Sequence, residues 1–281
     1  MIVVGGGAAG FFAAIACAEA NPDMEVIILE KSKNVLEKVK ISGGGRCNVT
    51  HACFEPNELI KFYPRGGKEL RGPFNRFMTG DLMEWFSDRG IELKIEEDNR
   101  VFPVSDSSQT IIDCLLEFAE RSGVQVKKQH AVENFWFEDE KWHVKTHDKT
   151  IWKTDKLMVA AGSGKKIWDI LKKNGHKVIS PVPSLFTFNT RDKRIKGLAG
   201  ISVPKAEVEI ANSELSSDGP LLITHWGFSG PAVLKLSAWG ALELNDRAYH
   251  FPIMINWIED KTYEEVYQIV NAERQVNPRK R

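Results

Sequence analysis

The sequence is poor in the residues that mark disulfide-rich or metal-binding proteins. Its 281 residues include four cysteines, which are too few for a disulfide scaffold and form neither a C-x-x-C pair nor a zinc pattern with histidines. We therefore expect no metal site. Reduced thiols favour the cytoplasm as the location of the protein.

The sequence also lacks an excess of charge of either sign. Lys plus Arg and Asp plus Glu both number 38, so no overall field favours nucleic acid or an anionic membrane. No Lys or Arg precedes the apolar start of the chain, and glycines interrupt it, which excludes a signal peptide and a membrane span. We expect a small-molecule substrate and neither a nucleic-acid nor a membrane partner. The oligomeric state is not predicted.

The first thirty residues have the composition and spacing of a dinucleotide-binding βαβ unit. A short apolar run, Ile2–Val4, precedes the glycine turn Gly5–Gly10, and a second apolar run ends at Glu30. An acid at this distance from a G-x-G-x-x-G fingerprint accepts hydrogen bonds from the adenosine ribose. We predict strand, turn, helix and strand, with Glu30 and Lys31 at the nucleotide. A glycine-rich packing turn is the alternative, but it leaves Glu30 unexplained.

Each glycine of the fingerprint has its own physical role. Gly5 allows a tight turn out of the first strand, and Gly10 allows the helix to pack closely on the sheet. Gly7 has no Cβ, so a pyrophosphate can lie against the backbone there. The N–H groups at the helix start, around Ala8 and Ala9, are predicted to point at the same phosphates.

A second glycine run follows soon after the βαβ unit, within Lys40–Thr50. Glycines permit positive φ angles and close backbone approach to a flat ligand. An arginine beside them can reach a phosphate or a ring carbonyl. A flexible surface loop is the alternative interpretation. The cofactor contacts predicted in this glycine loop are Lys40, Ser42, Gly43, Gly44, Gly45, Arg46, Cys47, Asn48 and Thr50.

Cys47 has two interpretations. A thiol beside Arg46 and a glycine loop can have a lowered pKa and react. The simpler interpretation is that cysteine is small enough to fit the loop. Cys53 is close enough in sequence to be a disulfide partner, and only that proximity supports the pairing.

Together with Thr224–Ala232 (THWGFSGPA), these motifs resemble those of the HI0933-like (YhiN) flavoproteins. The fingerprint is common to many families, whereas the glycine loop and Thr224–Ala232 are specific to this one, and the resemblance extends from Met1 to about Ile258. It implies an α/β fold with a Rossmann-like FAD-binding domain of the glutathione-reductase type, a β-meander and an inserted mostly-β domain. The implied activity is hydride transfer through FAD, with NAD(P)H as a candidate electron donor.

The resemblance also assigns the middle of the first domain. The pattern of His130–Ile151 predicts a β-meander, and the family places backbone groups like those of Ala131 and Val132 beside the adenine. A following strand ends in small residues that include Ala161 and Gly162, which the family places under the pyrophosphate. No second complete fingerprint follows, so a separate NADPH-binding Rossmann domain is absent.

The predicted domains are residues 1–179 for FAD, 180–258 for the inserted β domain, and 259–281 for a helix and tail. Residues between Tyr63 and Lys127 are predicted as mixed α/β structure with substrate contacts. The patterns predict a helix from Gly80 to Asp88, a strand over Ile91–Ile95, a helix that begins near Ser105–Ser108 and ends at Gly123, and a strand over Val124–Val126. The substrate is expected to enter between the first two domains. His225 is the candidate proton donor because histidine is the side chain that most often acts as a general acid in enzymes, with a structural turn histidine as the alternative. The segment around Arg100 resembles the family segment near the flavin, which implies Arg100 as a ligand of a substrate anion, with a surface arginine as the alternative.

The end of the sequence departs from the resemblance. The family continues with a glycine-rich segment that returns to the flavin, and this sequence contains no such segment. We therefore expect a C-terminally truncated member whose flavin-ring site is open. Two alternatives stay open at this point: an NAD-dependent dehydrogenase, and a non-catalytic dinucleotide-binding remnant.

Overall fold

The apolar run at the start of the chain lies inside a parallel sheet in the computed structural model, which describes residues 1–258 and 261–277. The chain divides into two units, Met1–Ile179 and Ser180–Arg281. The predicted tail Pro278–Arg281 lies outside the described residues.

The central sheet of the first unit consists of four parallel strands in the order β10-β1-β2-β6. The side chains of β1 and β2 are all buried, which is why both read as unbroken apolar runs. Helix α1 packs through Phe11 and Ile15, which are fully buried. The elements named here are β1 (Ile2–Val4), α1 (Ala8–Ala20), β2 (Ile27–Leu29), β6 (Gln125–Lys127) and β10 (Leu157–Val159).

Between β2 and β6 the chain forms short helices and a small antiparallel sheet in the order β3-β5-β4. Helix α6 covers the central sheet, and its Ser107 hydroxyl caps it by accepting from Gln109 N. The elements are α2 (Glu37–Ile41), β3 (Thr50–His51), α3 (Pro56–Leu59), α4 (Gly67–Phe74), α5 (Thr79–Ser87), β4 (Leu93–Ile95), β5 (Arg100–Pro103) and α6 (Ser108–Arg121).

The predicted β-meander is present as a three-stranded antiparallel sheet in the order β7-β8-β9. Its strands are Val132–Glu138 (β7), Lys141–Thr146 (β8) and Ile151–Thr154 (β9), and helix α7 (Lys165–Lys173) ends the unit's regular structure. Phe135 and Val144 are buried against Val4 and Leu29, so the meander covers one face of the central sheet.

The second unit is built on one antiparallel sheet in the order β11-β14-β13-β12-β15, with helix α8 packed on one face. The glycine of Thr224–Ala232 that precedes Pro231 has a φ of 98°, and Pro231 occupies the first turn of α8 as expected. The elements are β11 (Phe188–Asn189), β12 (Ser202–Ile210), β13 (Ser216–Thr224), β14 (Gly227–Ser229), α8 (Pro231–Trp239), α9 (Ala241–Asp246), β15 (Ile253–Asn256) and α10 (Tyr263–Val276).

Helix α10 begins with a capping box in which Thr262 and Glu265 bond reciprocally. Within the described ranges, none of the helices combines the length and the apolar character needed to cross a bilayer.

Candidate functional site

In the first glycine turn, Gly5 and Gly10 face other atoms of the protein, whereas Gly7 faces open space. A Cβ on Gly5, whose φ is 113°, would lie 2.6 Å from the Ala160 carbonyl oxygen, and a Cβ on Gly10 would overlap the Gly5 carbonyl oxygen. A Cβ on Gly7 would meet no heavy atom within 4 Å. Gly5 and Gly10 are therefore required by the protein's own packing, whereas Gly7 leaves free space beside the helix start.

The start of α1 is free to bind an anion. Gly7 is the N-cap residue and has no side chain to accept from the first N–H groups, and the first turn, which includes Ala8 and Ala9, has no acidic residue. Both alanines are exposed. Unpaired N–H groups and the positive end of the helix dipole favour a phosphate at this place.

Glu30 lies at the carboxyl end of β2 and is directed at the glycine turn. One carboxylate oxygen accepts from Gly6 N at 2.7 Å, and the other accepts from Ser32 N at 2.8 Å. Each oxygen accepts one of these bonds and retains capacity for another. The acid is therefore held in place beside the turn and can still accept a sugar hydroxyl. The adjacent Lys31 is exposed.

The segment before the meander flanks Glu30. His130 N donates to the Glu30 carbonyl oxygen at 2.8 Å, and Ala131 follows directly, with its own carbonyl accepting from His147 N at 2.9 Å. Val132 is the first residue of β7 and is buried. Ala131 and Val132 thus lie beside the end of β2, and their contact with an adenine stays a prediction.

The end of β10 completes this edge of the sheet. Gly162 has a φ of 56° and is exposed, and Ala161 is half-buried beside Gly5. Lys38, on α2, donates to the Ser163 hydroxyl at 2.7 Å and brings a cation to the same edge. Sequence reasoning missed Lys38, because its hydrogen-bond partner is 125 residues away.

The second glycine run forms a tight turn over Ser42–Gly45 whose glycines are in the left-handed region. All three glycines have positive φ, and a Cβ on Gly43 would lie 2.7 Å from Asn48 N and 2.8 Å from the Phe102 ring. A Cβ on Gly44 or Gly45 would meet nothing within 4 Å. The loop thus rests on Phe102 through Gly43 and presents an open backbone at the next two positions.

Two further contacts hold the ends of the glycine loop. The Lys40 carbonyl oxygen accepts from the Ser108 hydroxyl at 2.8 Å, at the start of α6. The Thr50 hydroxyl lies 3.4 Å from that of Thr79, at the start of α5. The ends of the loop are therefore attached to two helices, whereas Gly43 and Gly44 between them are exposed, so the surface-loop alternative stays open.

Arg46 has partners that the sequence did not reveal. Its guanidinium lies 3.9 Å from the centre of the Phe102 ring, bonds to Glu96 at 2.5 Å and reaches Asp106 at 3.3 Å. Lys94 bonds to the other oxygen of Asp106. The hydrogen bond to Glu96 is the main cause of a raised Arg46 pKa. Two carboxylates therefore already bind the Arg46 guanidinium. Its predicted contact with the flavin would have to form while Glu96 and Asp106 remain bound to it.

The structure favours the simpler interpretation of Cys47. The residue is buried, its N–H donates to the Ser42 carbonyl oxygen at 3.0 Å, and burial raises the pKa of its thiol above the usual value. A raised pKa leaves little thiolate at neutral pH, contrary to the reactive-thiol alternative. Cys47 and Cys53 are both free thiols, so the disulfide considered from proximity is absent here.

The two candidate catalytic residues occur in different units. Arg100 on β5 donates to Asp98 at 2.7 Å and to Glu96 at 3.4 Å, which does not favour its predicted binding of a substrate anion. His225 follows β13, is exposed, and meets Trp226 edge-on with ring centres 4.8 Å apart. An exposed imidazole is accessible to a substrate, so its role as proton donor stays a prediction.

The second unit contains a cleft of about 970 Å³ with a strongly aromatic lining. Phe186, Tyr249, Phe188 and Phe251 form a chain of ring contacts with centres 5.0 to 5.9 Å apart. Trp257 also lines the cleft. Its size and lining suit a small organic ligand.

Comparison with known proteins identifies the family. The family model described as the HI0933-like protein Rossmann domain matches residues 1–245. This chain belongs to the HI0933-like family. Membership confirms the family prediction and, with the parallel sheet and the meander, the predicted class of Rossmann-like FAD-binding fold.

The relatives of this chain that have curated names include two different enzymes. The chain is 27% identical over 249 residues to the ribosomal RNA dihydrouridine synthase of Haemophilus influenzae, covering 84% of this chain and 60% of the relative. It is 25% identical to the 3-dehydro-bile acid delta(4,6)-reductase of Clostridium scindens, covering 84% and 59%. The chain thus spans about 60% of the length of these curated relatives.

Among solved structures, THI4 of Thermovibrio ammonificans matches with a TM-score of 0.46 and 13% identity, covering 66% of this chain and 67% of that one.

Proposed function

We propose that this chain binds FAD through its first unit and belongs to an FAD-dependent oxidoreductase. The observation that carries the proposal is the free space at Gly7, beside the uncapped start of α1 and within reach of the Glu30 carboxylate. A dinucleotide needs this combination, because its pyrophosphate lies on the helix start and its ribose bonds to the acid.

The other residues of this edge fit the same ligand. Lys38 supplies a positive charge that complements the pyrophosphate, and Ser163 orients its ammonium group. Ala131 and Val132 offer backbone groups to the adenine. Glu30 would bind the ribose, and its bond to Gly6 N keeps it in place before the ligand arrives.

The glycine loop is the proposed support of the flavin ring. Gly44 and Gly45 leave their backbone open, so a flat ring can approach closely there. When bound, FAD supplies hydride transfer, while the protein supplies position and charge. Arg46 and its carboxylate partners fix the loop, and Lys40, Ser42 and Asn48 are the remaining proposed contacts.

We further propose a reductive reaction with NAD(P)H as the electron donor and His225 as the proton donor. The names of the curated relatives, one a synthase of dihydrouridine in ribosomal RNA and one a bile acid reductase, support a reduction. The aromatic cleft of the second unit supports a substrate with a flat apolar ring.

The visible spectrum of the purified chain tests the proposal. After addition of FAD and removal of the unbound part, we expect flavin absorption in the protein fraction, and bleaching on anaerobic addition of NADPH. A colourless protein that binds NAD instead would support a dehydrogenase. A folded protein that takes up neither cofactor would support a non-catalytic remnant.

A further inference from the structure

A strongly basic surface lies on the first unit, although the net charge of the whole sequence is zero. The segment Lys61–Phe77, which we name the basic-aromatic surface, has one acidic residue, Glu69. Its five basic residues are Lys61, Arg65, Lys68, Arg71 and Arg76. A balance taken over the entire sequence therefore conceals a local excess of positive charge.

Helix α4 directs part of this charge away from the protein. Lys68, Arg71 and Asn75 follow one another at helical spacing, and all three are exposed. Leu70 and Phe74 occupy the opposite face and are half-buried. The helix thus packs with its apolar side and presents a basic side to the solvent.

Most of these cations are not neutralised by acids. Lys61 pairs with Glu58 at 2.7 Å. Over residues 1–258 and 261–277, neither Lys68, Arg71 nor Arg76 takes part in an ion pair. Cations without carboxylate partners are available to phosphate groups.

Aromatic rings are exposed among the same cations. Phe62, Tyr63 and Phe77 are 59%, 40% and 41% exposed. Each is also held on one side: Phe62 by His51 with ring centres 4.4 Å apart, Tyr63 by Phe74 and Phe77 by Phe12. Rings fixed in this way keep accessible surface on which a base can stack.

From these observations we propose that the basic-aromatic surface binds single-stranded nucleic acid. Uncompensated cations contact the phosphates, and exposed rings stack on unpaired bases. An anionic membrane is less favoured, because an interfacial helix inserts its apolar face into the bilayer, whereas the apolar face of α4, with Leu70 and Phe74, is half-buried on the protein. His51, which supports Phe62, follows the glycine loop directly on β3, so a bound strand would lie next to that loop.

Fluorescence anisotropy with a labelled oligouridylate of about 16 nucleotides, long enough for one such site, tests the inference. The full chain is expected to bind, with an affinity that falls steeply as salt rises. The variant K68E/R71E/R76E should bind roughly tenfold more weakly or worse, and its logarithmic salt slope should be smaller by about 2.

A matched control carries the same change of charge elsewhere. K172E/K173E/K177E reverses three exposed lysines at and after the end of α7, and its affinity should equal that of the unchanged chain. F62L/Y63L keeps apolar contacts but removes the rings, and should weaken binding to the single strand roughly fivefold or more. F137L, at an exposed ring of the meander, is its control and should have no effect.

Four further arms decide the ligand and separate this inference from the FAD proposal. A DNA oligomer of the same length shows whether the sugar of the nucleic acid contributes to the affinity. A duplex should bind more weakly than a single strand, because its bases are stacked on one another. Equal losses in both charge-reversal variants, or binding only to vesicles of equal parts phosphatidylcholine and phosphatidylserine, would overturn the inference. Flavin uptake by K68E/R71E/R76E should be unchanged. A chain that takes up flavin but binds no oligomer therefore refutes this inference alone.

Discussion

The two glycine runs of the first unit differ in how they divide their positions between packing and open space. In the first run, Gly5 and Gly10 face backbone atoms that would collide with a Cβ, and Gly7 faces open space. In the second run, Gly43 faces Asn48 and Phe102, whereas the two following glycines are open.

The difference shows that glycines in one motif have separable functions. A glycine that faces protein atoms is required for folding, whether or not a ligand binds. A glycine that faces open space leaves room that a ligand's phosphates or flat ring can occupy. Substitutions at the two kinds of position should therefore affect different measurements: stability for the packed glycines and affinity for the open ones.

The largest effect is expected for Gly10→Ala. The new Cβ would overlap the Gly5 carbonyl oxygen, and α1 would have to move away from the central sheet. We expect a loss of about 4 kcal/mol or more in the free energy of unfolding, measured by urea denaturation, or failure to fold. Gly80→Ala, on α5, is the control: its Cβ would meet only the Phe54 ring at 3.8 Å, so the change should be neutral or slightly stabilising.

A smaller effect is expected for the second run, and its two adjacent glycines form a matched pair. Gly43→Ala combines a φ of 56° with contacts to Asn48 and Phe102, so we expect a cost of roughly 2–3 kcal/mol. Gly44→Ala has a similar φ of 70° but no contact, and should cost about 1 kcal/mol. Equal costs in urea denaturation would show that the Phe102 contact is unimportant.

Sequence reasoning predicts the first run well because its signals are local. The apolar runs of β1 and β2, the glycine spacing and Glu30 all lie within thirty residues, and the structure brings the Glu30 carboxylate to the turn. The meander is predicted equally well, since alternating aromatic residues and short polar turns define its strands.

The surroundings of the second run were not predictable, because its partners are distant in sequence. Glu96 and Asp106 lie 50 and 60 residues from Arg46. No local pattern identifies such pairs. A reader of the sequence alone would therefore treat Arg46 as available to a ligand, whereas in the structure two carboxylates already bind it.

Helix α4 was not predicted because local signals oppose it. It begins at Gly67, contains Gly72 and has Pro73 in its interior. All three residues disfavour helix. Leu70 and Phe74 are half-buried on the face opposite the cations, and the basic face of this helix cannot be read from overall charge.

The Gly7→Ala variant tests the central claim most directly, because Gly7 is open and its φ of −94° suits alanine. FAD titration and urea denaturation should be performed on the variant and on the unchanged chain. We predict that FAD affinity falls roughly tenfold or more, about 1.4 kcal/mol. Because Gly7 is the N-cap of α1 and alanine caps less well than glycine, we expect the free energy of unfolding to fall by no more than about 1 kcal/mol. Unchanged FAD affinity in a variant that remains folded would contradict the placement of the pyrophosphate at Gly7.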